Sequence, residues 1–137
     1  MEKESQDVDL TIPILPQMEL TATKTAEAVG AFMKLDEEKI DEIKLALVEA
    51  CINAFEHSQS ADGRIGINFE IGQDQLTLTL SDKGQGFDMD RVQAEAEKRH
   101  RTNKRRGWGL AIMKELMDEV RVDSGENGTT ITMVKRR

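Results

Sequence analysis

The order of strand and helix patterns along the chain predicts an α+β fold. Two kinds of segment carry this prediction: runs in which apolar and polar residues alternate, as in a half-buried strand, and runs in which apolar residues recur at helical spacing. The 137 residues are enough for a single domain over residues 1–137 with its own hydrophobic core. A net charge of -7 argues against a nucleic-acid-binding protein, since such proteins usually carry a basic surplus. No apolar run reaches the roughly 20 residues of a membrane span, and no charged-then-apolar leader opens the chain, so a cytoplasmic protein is expected.

The first half of the chain predicts a short strand and two helices. Residues 1–7 are polar and predict a flexible tail. Alternation over residues 8–15 predicts an edge strand, and apolar spacing over residues 17–34 predicts a helix. The inner face of that helix is expected to carry Leu20, Thr23, Ala26, Val29 and Met33. Asp36 is the expected N-cap of a second helix, which is predicted to end near Ser58.

The second half of the chain predicts a hairpin, a helix and a closing pair of strands. Residues 65–71 and 76–80 alternate and are separated by a turn, so they predict a hairpin with one buried face. A helix is predicted over residues 109–119, followed by strands over 120–123 and 129–134 with a glycine-rich turn between them.

Two polar residues stand in the most apolar helix of the chain. Residues 43–55 are apolar nearly all the way round and are predicted to be buried on nearly every side, with Cys51 as a reduced core residue. Glu49 and Asn53 lie four residues apart and therefore share one face. Burying a carboxylate without a partner is costly, and a site for a nucleotide with its metal ion would offset that cost. An Asn oxygen suits Mg²⁺, and a carboxylate can act as a general base. A helix-capping contact or an exposed polar face is the alternative interpretation.

A second candidate cluster lies where a strand ends. Asp82 shares strand parity with the leucines of residues 76–80, so it is predicted on the buried face, at a point where a pocket can open. There it can accept a hydrogen bond from the exocyclic amine of adenine. Gly84 and Gly86 allow close approach of the backbone to a ligand, although a plain turn explains them equally well. Thr129 is predicted by parity to face inward too, near enough to bond Asp82 or a water beside it.

A third candidate cluster is basic. Residues 91–106 contain seven basic and two acidic residues, which is a net charge of +5 inside a chain of -7. Arg105, Gly107 and Gly109 lead into the predicted helix, whose first N–H groups suit phosphate. The segment therefore predicts a lid over about residues 83–106 that handles a polyphosphate, or a patch for an acidic partner, with a solvated helix face as the alternative. No P-loop string occurs.

The order of these clusters resembles the GHKL ATPase superfamily, which shares the Bergerat nucleotide-binding fold. More closely, it resembles the bacterial anti-sigma factor serine-protein kinases of the RsbW and SpoIIAB type. Residues 49–54 (EACINA) match the N-box, 82–87 (DKGQGF) and 107–113 (GWGLAIM) match the first and second glycine boxes, and 128–130 (GTT) match the closing motif. Any one box can arise by chance, whereas four in this order and spacing on a short chain are specific.

The resemblance implies a two-layer α/β sandwich, whose mixed, mostly antiparallel sheet is covered by helices on one face. It implies ATP and Mg²⁺ as cofactors, with Glu49 as the catalytic base and Asn53 as the Mg²⁺ ligand. Asp82, supported by Thr129, would hold the adenine amine. The other implied nucleotide contacts are Gly84, Gly86, Arg105, Gly107, Gly109 and Leu110.

The implied activity is that of a protein serine kinase that acts as an anti-sigma factor. Such a protein binds a sigma factor, phosphorylates a small STAS-type anti-anti-sigma partner, and works as a homodimer. Three alternatives remain open: a nucleotide-gated sequestering protein with little or no kinase activity, an ATPase module of another signalling system, and a protein that binds no nucleotide. Two residues depart from the family's pattern: Trp108 is bulkier than the usual residue between the glycines of the second box, and Arg106 is unusual beside that box.

Overall fold

The computed structural model of the chain describes residues 6–57, 63–82, 109–125 and 128–137. The helices and strands in these ranges follow the predicted order. They are β1 (Gln6–Pro13), α1 (Glu19–Phe32), α2 (Glu37–His57), β2 (Arg64–Ile71), β3 (Gln75–Asp82), α3 (Gly109–Leu116), β4 (Glu119–Gly125) and β5 (Gly128–Arg136).

The five described strands form one sheet in the order β1-β2-β3-β5-β4. All four neighbouring pairs are antiparallel. Since β5 returns between β3 and β4, those two strands run in the same direction without touching. The predicted α+β fold with helices on one face is confirmed, and the described pairings are all antiparallel rather than mixed.

One face of the sheet is apolar and lies under the helices. The alternation that predicted the hairpin holds, because its inward residues are buried: Ile65, Ile67, Phe69, Leu76, Leu78 and Leu80. The opposite face is polar, and Asn68, Thr79 and Thr132 lie side by side in one row across three strands. Above the apolar face, α2 lies between α1 and α3 and packs on β3 and β5. The core is therefore the layer between α2 and the central strands.

The first strand is displaced from its predicted position. It begins at Gln6 and ends at Pro13, so residues 6 and 7 pair with β2. The sequence predicted these two residues to belong to a flexible tail. The displacement follows from the partner strand, since Gln6 lies opposite Ile71 at the end of β2. After Pro13 the chain turns, and the Ile14 N–H donates to the Gly63 carbonyl (2.8 Å).

The predicted inner face of α1 is correct except at Leu20, which is 56% exposed. Its buried residues are Ala22, Thr23, Ala26, Val29 and Gly30. Each step of three residues falls about 60° short of a full helical turn. Leu20 is two such steps from Ala26 and has therefore rotated off the buried face.

Close packing of α1 on α2 fixes the helix that bears the candidate site. A β-carbon added at Gly30 would lie 2.7 Å from Ile40 Cγ1, so the Ile40 side chain of α2 packs directly on the backbone of α1 there. Asp36 caps α2 as predicted, since its Oδ1 accepts from the Lys39 N–H (2.9 Å). The prediction that this helix is buried on nearly every side is wrong, because Leu45 is 50% exposed. The sheet, α1 and α3 cover three sides of α2 and leave an outer one.

Candidate functional site

Glu49 and Asn53 lie where the first residue of α3 meets α2. Both are half-buried, and Gly109 is buried against them. A β-carbon added at Gly109 would lie 3.1 Å from Asn53 Nδ2 and 3.4 Å from Glu49 Oε2. Glycine is therefore the residue that lets the helix start approach these two polar groups so closely. The structure brings together a carboxylate, an amide and the N-terminal end of a helix. The helix start suits a negatively charged ligand, and the oxygens of the other two groups suit a cation bound with it.

Asp82 and Thr129 form a second polar pair, on the sheet. They lie directly opposite each other in the antiparallel pairing of β3 with β5. They are 4% and 3% exposed, so parity placed both correctly on the inner face. They line a small recess whose other walls are Ala54, Ile65, Leu80, Ser81 and Ile131. Apolar walls that end in a buried carboxylate oxygen suit a flat heterocycle with an amine at its edge.

The two polar pairs belong to one region of the fold. Ala54 lines the recess and directly follows Asn53 on α2. The C-terminal part of α2 thus lies over the end of β3 and the start of β5, with α3 beginning beside it. A ligand spanning this region would meet a carboxylate in an apolar recess at one end and an amide, a carboxylate and helix N–H groups at the other.

Several sequence-predicted residues lie outside the described part of the chain. They are Gly84, Gly86, Arg105 and Gly107, together with the predicted lid over residues 83–106. Leu110 is described: it is half-buried and packs against the hydrophobic core from the second position of α3.

Cys51 takes no part in this polar region. It is buried and free, as the sequence predicted for a core residue. Burial, with a smaller contribution from the Glu19 carboxylate, raises the pKa of the Cys51 thiol to about 12. The thiol is therefore protonated at neutral pH and is a poor nucleophile.

One buried charged residue was missed by the sequence analysis. Lys135 is 7% exposed, and its Nζ donates to the carbonyl of Leu116 (2.6 Å) and pairs with Glu42 Oε1 (2.8 Å). The signal was present, because Lys135 continues the inward parity of Thr129, Ile131 and Met133. The predicted strand ended at residue 134, one position too early to include it.

An α+β fold with a small recess that ends in a buried carboxylate, beside a helix start, suits a nucleotide-binding domain. The family described as histidine kinase-like ATPase domain has a model that matches residues 13–135. The chain belongs to this family, and membership implies ATP binding. The resemblance drawn from the four motifs is thereby confirmed.

Relatives within the family are named serine-protein kinases. The chain is 30% identical over 142 residues to the serine-protein kinase RsbW of Bacillus subtilis, which covers 98% of this chain and 88% of that protein. It is 31% identical over 137 residues to the serine-protein kinase RsbW of Bacillus pumilus, covering 93% of this chain and 84% of the relative.

A solved structure shows the same fold. The RsbU and RsbW domains of a Mycobacterium tuberculosis protein align with a TM-score of 0.72 at 22% identity. The alignment covers 96% of this chain and 32% of that longer one, so the match is to one part of a larger protein. Across the described ranges of the present chain, no helix has the length and apolarity to cross a membrane.

Proposed function

We propose that this protein is an ATP- and Mg²⁺-dependent protein serine kinase that acts as an anti-sigma factor. It would bind a sigma factor and phosphorylate a serine of a STAS-type anti-anti-sigma partner. The observation that carries the proposal is the approach of Gly109 to Asn53 and Glu49, beside the recess of Asp82 and Thr129. Relatives named serine-protein kinase, at about the same chain length, support the same activity.

The residues present fit a magnesium nucleotide. Mg²⁺ takes one or two ligands from a protein and the rest from phosphate and water, so a single amide oxygen on Asn53 is a sufficient contribution. The side chain stands at the helix start, where N–H groups favour phosphate. When bound, Mg²⁺ would neutralise part of the negative charge on the transferred phosphoryl group.

Different residues of the chain act at the adenine end and at the phosphate end of the ligand. Asp82 accepts a hydrogen bond from the adenine amine, and a carbonyl at that position would face the carboxylate lone pairs, so adenine is preferred to guanine. Glu49 takes the proton of the target serine hydroxyl onto its carboxylate as general base. Gly84, Gly86, Gly107 and Arg105, which lie outside the described residues, are proposed to contact the phosphates.

The deciding experiment measures transfer of labelled γ-phosphate from ATP to a small STAS-type acceptor protein. Glu49→Gln keeps the shape of the side chain and removes the base, so the transfer rate should fall about 10² to 10⁴-fold while ATP affinity changes little. Glu38→Gln, an exposed glutamate on the first turn of the same helix, is the matched control and should transfer at the wild-type rate.

A different outcome would assign a different function. If Glu49→Gln or Glu49→Ala releases its bound partner in response to ATP as the wild type does, the protein is a nucleotide-gated sequestering protein and the kinase proposal fails. Partners are identified by co-purification with ATP and with ADP, followed by mass spectrometry. The homodimer, the single-domain organisation over residues 1–137 and the cytoplasmic location stay predictions, and light scattering of the purified chain would measure its oligomeric state.

A further inference from the structure

The far end of α3, opposite the candidate site, is held by an ion pair between the buried Lys135 and the half-buried Glu42. Lys135 Nζ lies 2.6 Å from the carbonyl oxygen of Leu116, the last residue of α3. The last carbonyls of a helix lack partners within the helix and carry partial negative charge, so a buried cation there both satisfies and stabilises the helix end. The same ammonium lies 2.8 Å from Glu42 Oε1 on α2. One side chain of β5 thus joins the end of α3 to α2.

Glu42 lies on the same face of α2 as the candidate site. Glu42 and Glu49 are seven residues apart, which is close to two full turns, and Asn53 is one turn further on. This face therefore touches α3 at two places: near Glu42 through Lys135 and Leu116, and at Glu49 and Asn53 through Gly109. The helices run in opposite directions, and α3 is fixed to α2 at both ends.

The other contacts between α3 and α2 come from side-by-side packing of the two helices. The α3 helix has eight residues, and so short a helix is marginal without tertiary contacts. Its buried anchors, Met113 and Met117, have flexible side chains that tolerate sliding. The turn after α3 is held to β5, where the Asp118 N–H donates to the Val134 carbonyl (2.9 Å), but that bond ties α3 to the sheet and not to α2.

We infer that Lys135 is a positioning residue: by tying the C-terminal end of α3 to Glu42, it sets the gap between Gly109 and the Glu49–Asn53 pair. This inference rests on the proposed function, because the magnesium and the terminal phosphates of ATP would lie beside this contact. Without Lys135, α3 stays attached to the sheet while its first residue is free to shift along α2. The recess of Asp82 and Thr129 is bounded by other elements and keeps its shape.

The test uses three variants of the full chain. Lys135→Met keeps the length of the side chain and removes the ammonium. The double variant Glu42→Gln with Lys135→Met also removes the carboxylate, so no buried charge is left unpaired and folding stability is restored in part. Lys114→Met is the matched control, because Lys114 is an exposed lysine in the last turn of the same helix.

Two binding measurements separate positioning from folding. The first is the gain in ATP affinity on adding Mg²⁺, and the second is the affinity for adenosine. Because a misplacement of 1 Å can reduce a reaction about 10²-fold, we expect Lys135→Met and the double variant to lose about tenfold of the Mg²⁺-dependent gain and of the transfer rate. Adenosine affinity should match wild type in all variants, and Lys114→Met should match it throughout. If the double variant recovers the Mg²⁺-dependent gain, or if adenosine affinity falls equally, Lys135 is only a stability residue and the inference is overturned.

Hydrogen exchange without nucleotide tests the anchor independently of ATP chemistry. Amides of α3 should exchange faster in Lys135→Met and in the double variant than in Lys114→Met, with β2 and β3 unchanged. Wild-type exchange in α3 of the double variant would refute the anchor. If the wild-type protein gains no affinity from Mg²⁺, the proposed function fails, and the exchange result alone then decides whether Lys135 anchors α3.

Discussion

Replacing Gly109 with alanine should weaken the use of Mg²⁺ and ATP while leaving the protein folded. The new methyl group would lie 3.1 Å from Asn53 Nδ2 and 3.4 Å from Glu49 Oε2. The first distance is shorter than ordinary van der Waals contact, and the second is at its limit. The Asn53 amide must therefore move by a few tenths of an ångström, which it can do because it is the end of a rotatable side chain.

The expected magnitudes differ for folding and for function. Alanine is favoured over glycine in a helix by roughly 1 kcal/mol, and this gain is comparable to the cost of the tight contact, so the free energy of unfolding should change by less than about 1 kcal/mol. A displacement of 1 Å at a reacting site reduces rates about 10²-fold, so a few tenths of an ångström should reduce phosphoryl transfer between about threefold and tenfold.

Urea unfolding and labelled phosphate transfer measure the two effects on the same samples. The control is Gly30→Ala, whose methyl would lie 2.7 Å from Ile40 Cγ1, a branched side chain inside the α1–α2 contact. That variant should lose about 1 to 3 kcal/mol of stability and keep its transfer rate per folded molecule. Unchanged transfer by Gly109→Ala, or a stability loss as large as that of Gly30→Ala, would refute the role given to Gly109.

Two further predictions concern nucleotide binding and pH. Asp82→Asn should weaken binding of a fluorescent ATP analogue by about 1 to 3 kcal/mol, because it replaces one acceptor oxygen in the recess with an amide donor. The control is Thr79→Ala, on the polar face of the same strand, which should bind normally. Cys51 binds its proton more tightly when folded, because burial raises the pKa of the thiol from its ordinary value of 9.0 to about 12. Its contribution to stability is thus complete below pH 9 and falls by about 1.4 kcal/mol per pH unit as pH rises towards 12. Cys51→Ala has no thiol to titrate. The difference in free energy of unfolding between the wild type and this variant, measured by chemical unfolding, should therefore narrow steadily from pH 9 towards pH 12. A constant difference would contradict the prediction.

Local patterns were sufficient to place the two described polar pairs on the correct faces. Strand parity put Asp82 and Thr129 on the inner side of the sheet, and both are buried there. Helical spacing put Glu49 and Asn53 on one side of α2, and both face Gly109. These inferences held because a strand or helix of known register fixes the direction of its side chains without reference to the rest of the fold.

A repeated spacing of three residues placed Leu20 on the inner face of α1, although two such steps carry it off that face. The other failures depended on a neighbouring element. Lysine is usually a surface residue, but Lys135 is buried because Glu42 and the end of α3 supply partners that offset the cost of burying its charge. The approach of Gly109 to α2 is likewise a product of packing between two helices. No single segment contains that information.

The position of β5 between β3 and β4 has a consequence for synthesis of the protein on the ribosome. This strand is the last described element of the chain, yet it is an interior strand of the sheet. Until it emerges, Asp82 has no Thr129 opposite it, and β4 has no neighbour to pair with. A partly synthesised chain therefore lacks both one wall of the recess and Lys135. Nucleotide binding should begin only after β5 has emerged, and the late, long-range closure of the sheet should make its folding slow compared with that of the α1–α2 pair.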